Sequence, residues 1–184
     1  RHYPYPTDEN GKVVPLNLLT KDSKQTVVIS IGGNDIRENL LKFLFQGPVS
    51  GFKSIFNDKY IKDFEQLITN IKEYSSKIIL VCIYAPYIGH GSNYFMFSSL
   101  KDTVYTQLIN MYKSIGSKLN IPVLDLSRTF DCHNRSHYGM TEIEPSNLSS
   151  QCIADSINYI HKHYQGYNVY YSPNCNINHI KCDF

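Results

Sequence analysis

An α/β fold with parallel strands is the class this sequence predicts. Short apolar runs rich in Val and Ile alternate along the chain with longer stretches whose apolar residues recur at helical spacing. One run, "KIILVCIY" from Lys77 to Tyr84, is apolar almost without interruption, as a strand buried on both faces requires. The chain has 184 residues, 42% of them hydrophobic and 18% charged, which suits one ordinary domain able to bury a sizeable core.

The first strand is read in "TVVISIGGNDIRE", Thr26 to Glu38, where Val27, Val28, Ile29 and Ile31 run straight into Gly32, Gly33, Asn34 and Asp35. A short helix through Leu44 follows, ended by Gly47-Pro48. From Asp58 to Tyr74, Ile61, Phe64, Ile68 and Ile71 share one helical face, and the 77–84 strand comes next. Leu100, Val104, Leu108, Met111, Ile115 and Leu119 mark another helix, followed after a Pro-marked turn by the strand "IPVLDL", Ile121 to Leu126. Pro145 and Ser146 introduce a last amphipathic helix carrying Ile153, Ile157, Ile160 and Tyr164. Three parallel strands are therefore expected near 26–31, 77–84 and 122–126, in that spatial order. The Asn- and Tyr-rich tail, 166–184, lacks periodicity and reads as an irregular extension of a domain spanning 1–165.

Composition excludes several classes. The formal net charge of +2 comes from scattered lysines, so nothing electrostatic points to nucleic acid. No apolar run approaches the roughly 20 residues of a membrane-spanning helix. His and Cys spacing shows no metal-ligand pattern, and neither a metal nor a cofactor is expected. Because the chain starts at Arg1 without a leader-like segment, it is expected to be a processed product or a piece of a longer protein. Of five cysteines, Cys82 sits in a strand, whereas Cys132, Cys152, Cys175 and Cys182 cluster in the last third. Bridges Cys132–Cys152 and Cys175–Cys182 are the expectation for a secreted protein, and free thiols in a cytosolic one are the alternative. The tripeptides Asn134-Arg-Ser and Asn147-Leu-Ser fit the N-glycosylation pattern and tilt the localisation toward secretion.

The Gly-Gly-Asn-Asp turn carries the chemistry. In an open α/β sheet, ligands collect beyond the carboxyl ends of the strands. Glycines there let a ligand approach the backbone, and the Asn34 amide offers a donor suited to an oxyanion. The competing reading is that Asn34 or Asp35 only caps the following helix.

"VVISIGGNDI" resembles the third block of the SGNH (GDSL-like) hydrolase family, with Gly32 and Asn34 in the matching positions. The pieces that follow are similar in order: a strand ending near a proline ("ILVCIYAPY"), a long helix, "IPVLDL", and "EIEPSNLSSQCIADSINYI" as a fifth block. The resemblance implies a flavodoxin-like three-layer sandwich with a parallel sheet, here lacking its first strands, and an ester hydrolase with Asn34 and Gly32 at the oxyanion. Two departures stand out. The first-block serine motif is absent, and Ser92 in Gly91-Ser92 falls out of order and reads as a turn residue. In the fifth block, Thr141 and Glu144 stand where the acid and the histidine are expected, and a carboxylate is roughly two pKa units less basic than an imidazole. "DCHNRSHYG" supplies Asp131, His133 and His137 nearby, either histidine serving as base and Asp131 orienting it.

Absence of the first strand would leave an apolar sheet edge, covered by an amino-terminal segment or partner chain, or by residues 1–25 folding back. Two functions follow. One is a lipase-, esterase- or deacetylase-type hydrolase acting on a small ester, a lipid or an acetylated glycan, its serine lying outside this chain. The other is a catalytically inactive relative that keeps the crevice as a binding module.

Overall fold

The computed structural model describes residues 25–89, 98 and 101–183. Its centre is a five-stranded sheet in the order β1-β2-β3-β4-β5, comprising β1 (Thr26–Ile29), β2 (Lys77–Cys82), β3 (Val123–Asp125), β4 (Val169–Tyr171) and β5 (Lys181–Asp183). The first four strands are parallel, with Val27 beside Ile78, Leu80 beside Val123 and Val123 beside Val169; β5 runs antiparallel to β4, Tyr170 facing Cys182. The three strands read from the sequence are therefore present, parallel and in the expected order. The tail is not irregular, however: it supplies β4 and β5. Val169, Tyr170 and Tyr171 are strand formers, but a three-residue run is too short to register a period.

The helices are α1 (Gly33–Glu38), α2 (Leu40–Gln46), α3 (Pro48–Ile55), α4 (Asp58–Lys72), α5 (Thr106–Leu119) and α6 (Asn147–Lys162). A π-helical turn, Lys101–Tyr105, leads into α5. The stretch read as one helix through Leu44 is two, broken at Asn39, and Gly47-Pro48 ends the second and starts α3 with its proline in the first turn. Asn57 caps α4 by accepting from the Tyr60 amide at 3.0 Å, and Ser146 caps α6 through the Ser149 amide at 3.3 Å.

Strand alternation sorts the core. Ile78, Leu80, Cys82 and Val123 face one side with Ile36, Phe43, Phe52, Phe64 and Leu108, from α1 to α5. Ile79, Val81, Leu124 and Tyr170 face the other, against Ile160 of α6. Both strand faces are thus covered, which is why β2 reads as an unbroken apolar run. Among the described residues β1 pairs with β2 alone, and Val28 on it is 43% exposed. Of residues 1–25, invoked above to cover this edge, 1–24 lie outside the described residues, as does Ser92.

All five cysteines are free thiols, so neither expected bridge is formed. Cys82 is buried as expected, and Cys132 packs with Ala85 and Ile88. Cys152 lies in a different cluster, with Phe130 and Cys175, and Cys182 is exposed on β5. Spacing along the chain does not tell which cysteines the fold brings together.

Candidate functional site

The rim beyond the carboxyl ends of β1, β2 and β3 gathers the residues singled out in the sequence. On its first side, β1 stops at Ile29 because the next inward-facing residue pairs with a side chain. The Tyr112 hydroxyl, on α5, accepts from the Ile31 amide at 2.8 Å and donates to the Ile31 carbonyl at 2.8 Å. This clamp holds the entrance to the Gly32–Asp35 turn. Gly32 has φ of 97°, a left-handed conformation that favours glycine, and a Cβ there would lie 3.4 Å from both Leu108 and Phe56. A Cβ on Gly33 would lie 3.7 Å from the Ile83 side chain, so the turn backs directly onto the end of β2.

The helix-capping reading of the turn does not hold. Gly32 is the residue preceding α1, and no side chain caps that helix. The Asp35 carboxylate instead faces the Tyr60 hydroxyl at 3.5 Å. Asn34 is exposed at the rim, and no hydrogen bond of its side chain is found among the described residues.

On the other side of β2, the chain leaving that strand is stitched to the 130–145 loop. The Tyr84 hydroxyl donates to the Ile143 carbonyl at 2.9 Å, and the Tyr138 hydroxyl donates to the Ala85 carbonyl at 2.9 Å. The Tyr87 amide donates to the Glu142 carbonyl at 2.8 Å, and the Ile88 amide to the Cys132 carbonyl at 2.9 Å. Burial pushes the Tyr84 phenol well up, and the Glu144 carboxylate nearby adds to that shift. Tyr84 therefore stays a neutral donor. Glu144 itself is exposed.

His137 and His133 differ sharply. His137 is 2% exposed, its Nδ1 accepts from the Asp131 amide at 3.0 Å, and its Nε2 lies 3.3 Å from the Asn134 amide nitrogen. Burial lowers its pKa against the opposing pull of the Asp131 carboxylate, and protonation at Nδ1 would place two donors face to face. His137 thus orders its loop as a neutral ring. His133 is exposed, and its backbone amide donates to the Asp131 carboxylate at 2.9 Å.

Beyond β3, Asp125 anchors the turn that carries this loop away. It is 1% exposed and accepts from the Ser127 amide at 3.0 Å, the Ser127 hydroxyl at 2.5 Å and the Arg128 amide at 3.3 Å, with Lys113 Nζ 3.7 Å away. Between this turn, Ala85 and the start of α5 lies a cavity of about 170 Å³. Lys101, Asp102, Ser127 and Asp131 give it polar walls, and Tyr105 and Phe130 apolar ones. Burial pushes the Tyr105 phenol up, leaving a neutral hydroxyl there.

The rim thus holds all the sequence-derived candidates, but on two sides of the β2 end: Gly32 and Asn34 on one, Asp131, His133, His137 and Glu144 on the other. Among the described residues, Asp131 is the only candidate that lines the cavity. Tyr105, Lys101 and Ser127 were not foreseen. The polar pair Lys101-Asp102 ahead of a helix was visible, but its place over the cavity depends on the π-helical turn, a type of turn often found at functional sites. No group of His, Cys, Asp and Glu among the described residues is placed to hold a metal ion. No helix among them is long and apolar enough to cross a membrane. Compared with models of known families, with curated proteins and with solved structures, the chain matches none.

Proposed function

We propose that this chain forms the oxyanion and base side of a carboxylic ester hydrolase of the SGNH type, with the nucleophilic serine supplied from outside it. The observation that carries this reading is Asn34: exposed beyond a parallel strand and unused by its own helix, on a turn whose approach is clamped by Tyr112. In this reading the serine oxygen attacks the acyl carbon, the Asn34 side-chain N–H receives the developing oxyanion, and a loop histidine takes the serine proton. His133 is the better base, being exposed and next to Asp131; His137 is buried, and its Nδ1 is taken by the Asp131 amide. The cavity beside Asp131, about 170 Å³, is below the roughly 300–1,000 Å³ of drug-sized sites. That favours a small ester or the acetyl group of a glycan over a long-chain lipid.

The second reading, an inactive binding module, is favoured by the engagement of His137 and by Glu144 in place of the fifth-block histidine. Turnover of p-nitrophenyl acetate by the complete protein separates the two. Asn34→Ala is expected to lower kcat by about 10²–10³ with the fold intact. His133→Ala should abolish most of the rate, whereas loss with His137→Asn alone would move the base to His137. A complete protein without turnover leaves the binding module, and turnover indifferent to Asn34→Ala removes Asn34 from the mechanism and overturns the oxyanion reading.

A further inference from the structure

Cys152 lies on α6, and Cys175 ends a 3-10 turn, Pro173–Cys175, that follows β4. α6 packs on that turn, and the two cysteines share one buried cluster with Phe130. Cys152 is 1% exposed and Cys175 7%. Tyr84 and Ile153 pack against the cluster and help close it off.

The surroundings are not those of a cysteine that merely fills space. The Ser149 hydroxyl lies 3.5 Å from Sγ of Cys175. Ser156 and Ser172 adjoin Cys152, both are fully buried, and neither hydroxyl has a hydrogen-bond partner among the described residues. A buried hydroxyl without a partner is costly, and both of these flank Cys152. Backbone geometry adds to this. Asn174 and Cys175 both take left-handed conformations, φ 55° and 54°, which side chains rarely adopt. The Cys175 amide is nonetheless held there by the Thr129 carbonyl at 3.3 Å and the Ser172 carbonyl at 3.1 Å. The strained turn points Cys175 inward at its partner instead of letting it relax outward.

We infer that Cys152 and Cys175 are a site of reversible oxidation, closing to a disulfide that ties α6 to the turn after β4. The chemistry balances with a small disulfide such as oxidised glutathione as the electron acceptor. Cys152, as thiolate, attacks one glutathione sulfur, the glutathione S–S bond breaks, and one glutathione thiolate leaves. Cys175 then loses its proton and attacks the Cys152 sulfur, expelling the second glutathione. Two protein thiols are oxidised, one glutathione disulfide is reduced, and the two protons end on the glutathione thiols. The order of attack follows from the two thiols' acidities: the neighbouring Cys175 thiol lowers the pKa of Cys152 against burial, while that of Cys175, whose own thiol donates to the Thr129 carbonyl at 3.9 Å, is raised.

The experiment equilibrates the chain in glutathione buffers from fully reduced to fully oxidised, quenches with acid, and maps peptides without reduction. The expected product is the Cys152 peptide joined to the Cys175 peptide, two hydrogens lighter than their sum. Closing a loop of about two dozen residues should raise Tm by roughly 6–12 °C in the oxidised form. Cys182→Ser should keep that shift, and Cys152→Ser and Cys175→Ser should each lose it. Each variant is compared with itself in the reduced buffer, so a general loss of stability does not mimic the result. Thiols at 152 and 175 that remain alkylatable after unfolding at every buffer ratio would overturn the inference. So would a bridge to Cys132 or Cys182, or a glutathione adduct at Cys152 that never resolves.

Discussion

Replacing Tyr112 with phenylalanine removes a single oxygen and tests how the sheet is joined to the candidate site. That oxygen makes two bonds to one residue, accepting from the Ile31 amide and donating to the Ile31 carbonyl, each at 2.8 Å, and the ring is fully buried. A buried hydrogen bond contributes about 0.5–1.5 kcal/mol net, so two together give about 1–3 kcal/mol. Stranding a donor and an acceptor adds to this, by up to about 1–3 kcal/mol per group where water is excluded. Ile31 is only half-buried, so solvent recovers part of that second cost. The phenylalanine ring keeps the packing against Phe64, whose ring centre is 5.5 Å away, so no cavity forms. The expected loss is about 2–3 kcal/mol. Urea unfolding followed by circular dichroism would read it as a midpoint lowered by about 1 M with an unchanged slope. Tyr138→Phe is the internal comparison, because that hydroxyl donates to one acceptor, the Ala85 carbonyl, at 2.9 Å. It should cost about half as much. A Tyr112→Phe loss below about 0.5 kcal/mol, or one no larger than that of Tyr138→Phe, would refute the reasoning: the Ile31 backbone would then have other partners, and Tyr112 would not be what ends β1.

Two further perturbations probe the packing and the loop. A Cβ at Gly116 would lie 2.7 Å from Val123 Cγ2 and 2.8 Å from the Ile121 carbonyl oxygen, so Gly116→Ala should destabilise the chain by about 2–3 kcal/mol as α5 is forced off β3; an unchanged thermal midpoint would contradict that contact. Burial holds His137 below the usual imidazole pKa of about 6.5, so the unfolded chain takes up its proton first as pH falls. Its contribution to stability is complete above about pH 6.5 and is lost as pH falls from there through the folded value. Urea midpoints measured at stepwise lower pH should decline across that window, and an NMR titration that placed the His137 ring above 6.5 would reverse the sign.

The elements that were legible are those whose signal is local. Strand β2 announces itself because both its faces are covered, leaving no polar position in Ile78–Cys82. The α4 helix is similarly plain, since Phe64, Ile68 and Ile71 repeat on the face that meets the sheet. Strands β4 and β5 were missed because three residues each cannot display a period, and their pairing joins Tyr170 to Cys182 across an intervening pair of 3-10 turns. The same limit governed the cysteines. A Cys132–Cys152 bridge is the expectation from the sequence, whereas the packing of α6 on the 173–175 turn puts Cys152 in one cluster with Cys175.

For the candidate site, residue types alone determined which side chains could act: the Gly-Gly-Asn-Asp turn, the two histidines, and Asp131. Only the tertiary structure decided which of them are available. Asn34 and Asp35 are neighbours with equal claims as helix caps, yet Asp35 turns to Tyr60 and Asn34 to the rim. His133 and His137 lie four residues apart in one loop, yet one is exposed and the other buried with its Nδ1 accepting from the Asp131 amide. The physical reason is the same in both pairs. A side chain's chemistry is set by its own atoms, but its accessibility and protonation are set by neighbours that arrive from distant parts of the chain, and sequence spacing carries no record of them.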